Sequence, residues 1–329
     1  VPDPTAIHRA LLAWYRRAAR ALPWRATRDP YRIWVSEIML QQTRAAAVVP
    51  YYRRFLRAFP NVERLAQASE EELLRIWSGL GYYQRARHMH RAARRILELG
   101  RFPREYDSIR ALPGVGDYTA AAVASIAFNL PYAVLDGNVM RVLARLLAEQ
   151  TDVRSRAAKA RLRQAAETLL DPKRPGDFNQ ALMELGATVC LPRNPRCGDC
   201  PLQAWCRARR MGLVNRIPAK RRREAPRPSQ RTLLLIERNG SLLLKRRSQP
   251  GQLQGFFELP EPADLPAARP GPELGRFHHA ITNRRYLITV RSARAVLPEG
   301  PFLWAPEGDL RRLPLTTATR KALALRSKR

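Results

Sequence analysis

All four cysteines of the chain fall within 17 residues, at Cys190, Cys197, Cys200 and Cys206, with the spacing C-x6-C-x2-C-x5-C. Clustered thiols in a chain that begins without an apolar signal core point to a metal site rather than to disulfides. Spacing alone leaves two occupants open, a four-thiolate zinc and a [4Fe–4S] cluster. The flanking stretches Arg193–Arg196 and Arg207–Arg210 bring positive charge to the same loop, where it could meet phosphate.

Two carboxylates stand out. In Tyr31–Gln42, Ile33, Glu37 and Leu40 share one helix face, with Trp34, Val35, Ile38 and Met39 around them. Glu37 is either a surface residue paired with an arginine such as Arg44, or a desolvated acid. Desolvation would raise its pKa and make it a proton donor near neutral pH. Asp136 opens the run Asp136-Gly137-Asn138-Val139 and reads as a helix N-cap, a position that also favours the ionised carboxylate. Between them lies Leu112-Pro113-Gly114-Val115-Gly116, followed by a helical run. It is either an ordinary turn between helices or an anion site, in which Gly114 and Gly116 let a phosphate approach the free N–H groups of a helix start.

Elements that could hold these residues follow from periodicity. Helical spacing recurs in Ile7–Trp14, Tyr31–Leu40, Val48–Phe59, Glu70–Trp77, Arg87–Leu99, Thr119–Phe128, Val139–Leu147 and Ala157–Leu170, separated by Pro/Gly punctuation. The Pro- and Arg-rich stretch 217–230 has linker composition. Beyond it the pattern turns to strands, at Thr232–Glu237 and Ser241–Arg247 across an Asn239-Gly240 hairpin signal, and at Arg285–Val290, with a last helix near Thr316–Leu325. The expectation is a multi-domain chain: an all-α domain over 1–216, a linker over 217–230 and an α+β domain over 231–329. A total of 59 Lys+Arg against 28 Asp+Glu gives a net charge of +31, which favours a polyanionic partner such as nucleic acid. Only six of the basic residues are Lys, so a compositional bias toward Arg competes with that reading. No run is long and apolar enough for a membrane span, and a soluble, cytoplasmic, DNA-associated protein is expected.

The motifs in order resemble the MutY family of adenine DNA glycosylases, in the helix-hairpin-helix, endonuclease-III-like superfamily. The resemblance runs through Leu22-Pro23-Trp24-Arg25, Val35–Thr43, Gly79-Leu80-Gly81-Tyr82-Tyr83, Leu112–Ala120, Leu135–Val139, Phe178-Asn179-Gln180-Ala181 and the four cysteines. It implies a [4Fe–4S] cluster on those cysteines. It also implies a monofunctional enzyme of base excision repair acting on duplex DNA as a monomer, at adenine opposite 8-oxoguanine or guanine. Glu37 would protonate adenine, Asp136 would stabilise the sugar cation, and Tyr118 and Asn138 would orient Asp136 and water. Gln42 and Tyr82 would wedge the base stack, and Trp24 and Arg25 would line the adenine pocket. Two alternatives remain on the sequence: a glycosylase of the same scaffold acting on another base, such as thymine opposite guanine, and a non-catalytic lesion-binding module.

The C-terminal region resembles the family's Nudix-like recognition domain at Gly251–Pro260, but no Arg-Glu-x-x-Glu-Glu metal helix follows, so pyrophosphatase activity is not expected. Two positions carry particular consequences. The family's Phe-Ser-His lesion-reading loop corresponds to Phe277-His278-His279. Bifunctional relatives place a Schiff-base lysine where this chain has Tyr118, so little β-lyase activity is expected.

Overall fold

A computed structural model describes residues 3–219, 227–248, 253–281, 284–294, 300–310 and 312–326. Residues 220–226 of the linker and Gly251-Gln252 of the Gly-rich motif lie outside the described residues. The chain divides into two compact units, Val1–Gln67 with His88–Arg222, and Ala68–Arg87 with Arg223–Arg329. None of the described helices is long and apolar enough to cross a membrane.

Helices form where the sequence supplies periodic apolar residues and a start signal. They are α1 Pro4–Ala18, α2 Pro30–Leu40, α3 Ala45–Ala58, α4 Val62–Gln67, α5 Glu70–Trp77, α6 Gln84–Glu98, α7 Tyr106–Arg110, α8 Asp117–Phe128, α9 Gly137–Leu147, α10 Arg156–Leu169, α11 Pro175–Thr188, α12 Arg207–Arg210 and α13 Thr317–Arg326. Side chains of Asp3, Asp29, Ser69, Asp136 and Ser155 accept from backbone N–H groups in the first turns of α1, α2, α5, α9 and α10, the donors a helix start leaves unpaired. All eight periodic segments are helical. Helix α11 was not among them. Its Pro175-Gly176 reads as punctuation, yet Pro175 is the first helical residue, where proline's missing N–H costs nothing. Helix α11 packs against α1, α8 and α9 in the first unit, with Phe178, Asn179, Ala181, Leu182, Glu184 and Leu185 all buried.

In the second unit β1 (Arg227–Leu235) runs parallel to β6 (Arg284–Arg294), and β6 pairs antiparallel with β5 (Arg269–Ile281). A second sheet joins β2 (Glu237–Arg238), β3 (Ser241–Arg246) and β4 (Phe257–Glu258), with β7 (Phe302–Pro306) on β3. The Asn239-Gly240 turn forms as expected, both residues at positive φ, but the strand before it is divided. Residues up to Leu235 pair with β6, and only Glu237–Arg238 join the hairpin. The reason is burial on both faces: Leu233 and Leu235 pack with Leu242, Ile288 and α13, whereas Leu234 and Ile236 pack with Leu243 and Leu265. Segment Ala68–Arg87 groups with this unit, and the Tyr83 ring lies 4.0 Å from that of Phe256.

Candidate active site

Within the first unit, one cavity of about 810 Å³ gathers Trp24, Arg25, Glu37, Gln42, Tyr118, Asp136 and Asn138 from separate parts of the chain. Glu37 projects from α2 and is 4% exposed. Burial pushes its carboxyl up to about 7; the Tyr118 hydrogen bond pulls it down, Asp136 pushes it up and Arg25 pulls it down. This is the desolvated acid rather than the surface ion pair. The Tyr118 hydroxyl, from the first turn of α8, donates to Glu37 Oε2 at 2.7 Å and also lies 3.2 Å from Met183 Sδ. The expectation that Tyr118 orients Asp136 is therefore corrected: its hydroxyl is bonded to Glu37.

Asp136 caps α9, accepting from Val139 N–H at 2.7 Å and from Asn138 Nδ2 at 2.9 Å. Burial raises its pKa, opposed by the Val139 and Asn138 hydrogen bonds and by Arg141. The cap thus moderates the cost of burying this carboxylate without reversing it. Arg141 reaches from the same helix to Asn138 Oδ1 at 2.8 Å, Gly186 O at 2.7 Å and Cys190 O at 2.8 Å. Gly186 is required here, because a Cβ on it would fall 2.6 Å from that of Asn138. Sequence reasoning found Asn138 but missed Arg141 and Gly186, which carry no distinctive local signal.

An ion cluster around the buried Glu184 forms one wall. Glu184, on α11 and fully buried, accepts from Arg20 Nε at 2.8 Å, Arg20 Nη2 at 2.7 Å and Arg25 Nη2 at 2.6 Å. Burial alone would raise Glu184, but the Arg20 and Arg25 hydrogen bonds outweigh it and hold the carboxyl at about 2. Trp24 is buried edge-on against Tyr52 at 5.4 Å. Gln42 lies just past α2 with φ 58°.

In the turn before α8, the backbone calls for glycine at Gly114. Gly114 has φ 77°, and a Cβ there would meet the His88 Cβ at 2.4 Å. Gly116 is the exposed N-cap residue of α8. In the second unit, Tyr82 is 45% exposed at φ 48°, under the Arg85 guanidinium. Phe277-His278-His279 lie inside β5 rather than in a loop, paired with Ile288, Leu287 and Tyr286. Alternation turns Phe277 and His279 to one face and His278 to the other. His278 is exposed, Phe277 packs against the core, and burial together with Lys321 and Arg231 lowers the His279 pKa.

The four cysteines wall one small cavity with Arg145. Buried Arg145 donates to Cys190 Sγ at 3.2 Å and to Leu191 O at 2.7 Å. Burial, and beyond it the neighbouring cysteines, pushes the Cys200 thiol up to about 12. A buried thiol must give up its proton to become a metal ligand, and a buried cationic donor beside Cys190 Sγ suits an anionic thiolate site. The residues present therefore fit an iron–sulfur cluster held by Cys190, Cys197, Cys200 and Cys206, which would tie loop 190–206 to α9.

Residues 35–168 match the HhH-GPD superfamily of base excision DNA repair proteins, and residues 190–206 match the iron–sulfur binding domain of endonuclease III. The second match decides between zinc and iron in favour of an iron–sulfur cluster. An adenine DNA glycosylase of Rattus norvegicus is 40% identical over 79% of this chain and 61% of its own length. One of Buchnera aphidicola subsp. Baizongia pistaciae is 35% identical over 77% and 73%. The solved structure of a thermostable thymine-DNA glycosylase is 31% identical with a TM-score of 0.57, covering 63% of this chain and 97% of that one. Fold and site thus define a DNA base excision protein of the helix-hairpin-helix class. Within it, the chain belongs to the adenine DNA glycosylase family. It spans about three-fifths of the length of the rodent and human relatives it matches.

Proposed function

We propose that the chain is a monofunctional glycosylase that hydrolyses the N-glycosidic bond of adenine mispaired with 8-oxoguanine or guanine in duplex DNA. One observation carries this reading: a buried carboxyl poised at about 7, Glu37, shares a cavity with the capped carboxylate Asp136. Adenine must leave the stack to reach such a cavity. Glu37 then gives its proton to N7, the C1′–N9 bond breaks toward the base, and a sugar cation remains. Asp136, steadied by Asn138, faces that cation, and water adds to C1′ as its O–H bond breaks and the proton passes to the Glu37 carboxylate, restoring the acid. Two carboxyls with different proton affinities divide these tasks as in other glycoside hydrolyses. The thiolates Cys190, Cys197, Cys200 and Cys206 would hold a [4Fe–4S] cluster, whose part here is to fix the loop joined through Arg141 to Asn138. Gly114 and Gly116 would present backbone N–H groups to a phosphate, and Gln42 and Tyr82 would fill the stack.

The Nudix-like domain over 231–329 would read the base opposite adenine, with the exposed His278 as its polar contact. A second reading, release of thymine opposite guanine, is favoured by the likeness to the thymine-DNA glycosylase. Base release from duplexes placing adenine opposite 8-oxoguanine, guanine, cytosine and thymine, with a thymine–guanine duplex alongside, separates them. Adenine release fastest opposite 8-oxoguanine is expected; thymine release without adenine release would replace the first reading with the second.

A further inference from the structure

Tyr82 ends a loop whose backbone is held in an uncommon shape. Gly79, Gly81 and Tyr82 all lie at positive φ, at 96°, 75° and 48°. Glycine adopts that region freely, but a tyrosine there is costly and persists only where its surroundings hold it. The core does not supply that hold, because the Tyr82 side chain is exposed.

Arg85, in the first turn of α6, does supply it. Its guanidinium carbon stands 5.3 Å from the centre of the Tyr82 ring and 5.4 Å from that of the Trp77 ring. Trp77 is buried, so one ring fixed in the core and one exposed ring share the same cation. Arg85 Nη2 donates to Gly81 O at 3.2 Å and to Leu80 O at 3.4 Å, and the Arg85 backbone N–H donates to Tyr82 O at 2.9 Å. Trp77 Nε1 adds a bond to Gly81 O at 3.0 Å. Burial lowers the guanidinium pKa to about 10, which leaves it a cation at neutral pH.

We infer that Arg85 is a positioning residue for Tyr82: it fastens the Leu80 and Gly81 carbonyls and stacks on the ring, so that the ring is set outward before DNA arrives. A loose side chain must be ordered as it enters a base stack, and that ordering weakens binding. Arg85 moves the cost into the free protein. A guanidinium suits the task because it stacks through its face while donating through its edge, which an ammonium cannot do. The inference rests on the reading of Tyr82 as a wedge.

The test is a double-mutant cycle on the full chain, with thermal melts to show that each variant folds. Arg85→Met keeps a long side chain and removes the planar cation; Arg85→Lys, the milder change, should act in the same direction. In the DNA-free protein, 3-fluorotyrosine at position 82 alone reports on the ring, and Arg85→Met should shift and narrow its fluorine resonance as the ring is released. Single-turnover base release at subsaturating enzyme should fall by ~2–5-fold, the range of an exposed cation–π contact. In a Tyr82→Ala background Arg85→Met should cause no further fall. An unmoved resonance, unchanged base release, or an equal fall in both backgrounds overturns the positioning role; the last would mean that Arg85 meets DNA itself or serves only the fold. If Tyr82→Ala alone releases adenine as fast as the parent, the wedge reading fails, and the fluorine spectrum still judges the contact between Arg85 and Tyr82.

Discussion

The Tyr118 hydroxyl and Glu37 Oε2 lie 2.7 Å apart, joining the first turn of α8 to the buried face of α2. This bond stabilises the carboxylate, so it lowers a carboxyl that burial has raised to about 7. An acid must be protonated to act, so single-turnover base release should be high below pH 7 and fall as pH rises through it. Tyr118→Phe should move that fall upward, by roughly one unit for a charged hydrogen bond of ~1.5 kcal/mol. A pH–rate profile of the two proteins checks the sign; a downward move contradicts the geometry.

Glu37 also links the site to stability. Its carboxyl rises from 4.5 unfolded to about 7 folded, so the folded protein holds more protons between those values. The contribution to stability is fully present below pH 4.5 and is lost as pH climbs through 7. Glu37→Gln should therefore be the more stable protein at pH 8, by up to ~3 kcal/mol, with the difference vanishing near pH 4. Base release should meanwhile fall by ~10²–10⁴-fold or more. Denaturant melts at the two pH values would expose an error as an equal effect at both.

Glu184 should behave in the opposite way. Fully buried and held at about 2 by Arg20 and Arg25, it stabilises the fold above pH 4.5 and loses that contribution as pH falls toward 2. Glu184→Ala leaves Arg25, whose side chain is only 15% exposed, without its carboxylate. A loss of about 3 kcal/mol is expected, as for other broken buried ion pairs. Thermal melts near neutral pH that matched the parent would refute it.

Tyr118 occupies the position at which, by the sequence resemblance, bifunctional relatives carry a Schiff-base lysine. Tyr118→Lys should add strand scission and a borohydride-trapped DNA adduct, since an amine forms a Schiff base at C1′. Efficient trapping with the unaltered chain would instead refute the monofunctional reading.

His278 lies on the exposed face of β5, opposite in direction to Phe277 and His279. His278→Ala can therefore remove the proposed base contact with little cost to the core. The preference for 8-oxoguanine over guanine opposite adenine should drop by ~1–3 kcal/mol, with His278→Ser retaining it. Competition between the two duplexes is the measurement, and an unchanged ratio in both variants would take His278 out of specificity.

Much of this was legible in the residue order, for local reasons. Asp29 and Asp136 announce helix starts because carboxylates accept from unpaired N–H groups. Asn239-Gly240 announces a hairpin because those residues tolerate positive φ, and the four cysteines announce a metal because thiols cluster for little else. Helix α11 was hidden because its polar residues are buried: Asn179 bonds Ser125, Val134 and Tyr132, and Glu184 bonds two arginines, so the apolar stripe that marks a surface helix is absent. The division of β1 from the hairpin was hidden because leucines run through both faces. Only tertiary structure could decide that the Tyr118 hydroxyl bonds Glu37 rather than Asp136, since 81 residues separate the partners and nothing in their spacing fixes which carboxylate a hydroxyl meets. Local chemistry names the residues able to act. Which of them act on one another is set by packing of α2, α8, α9 and α11, a property of the whole core and of no single segment.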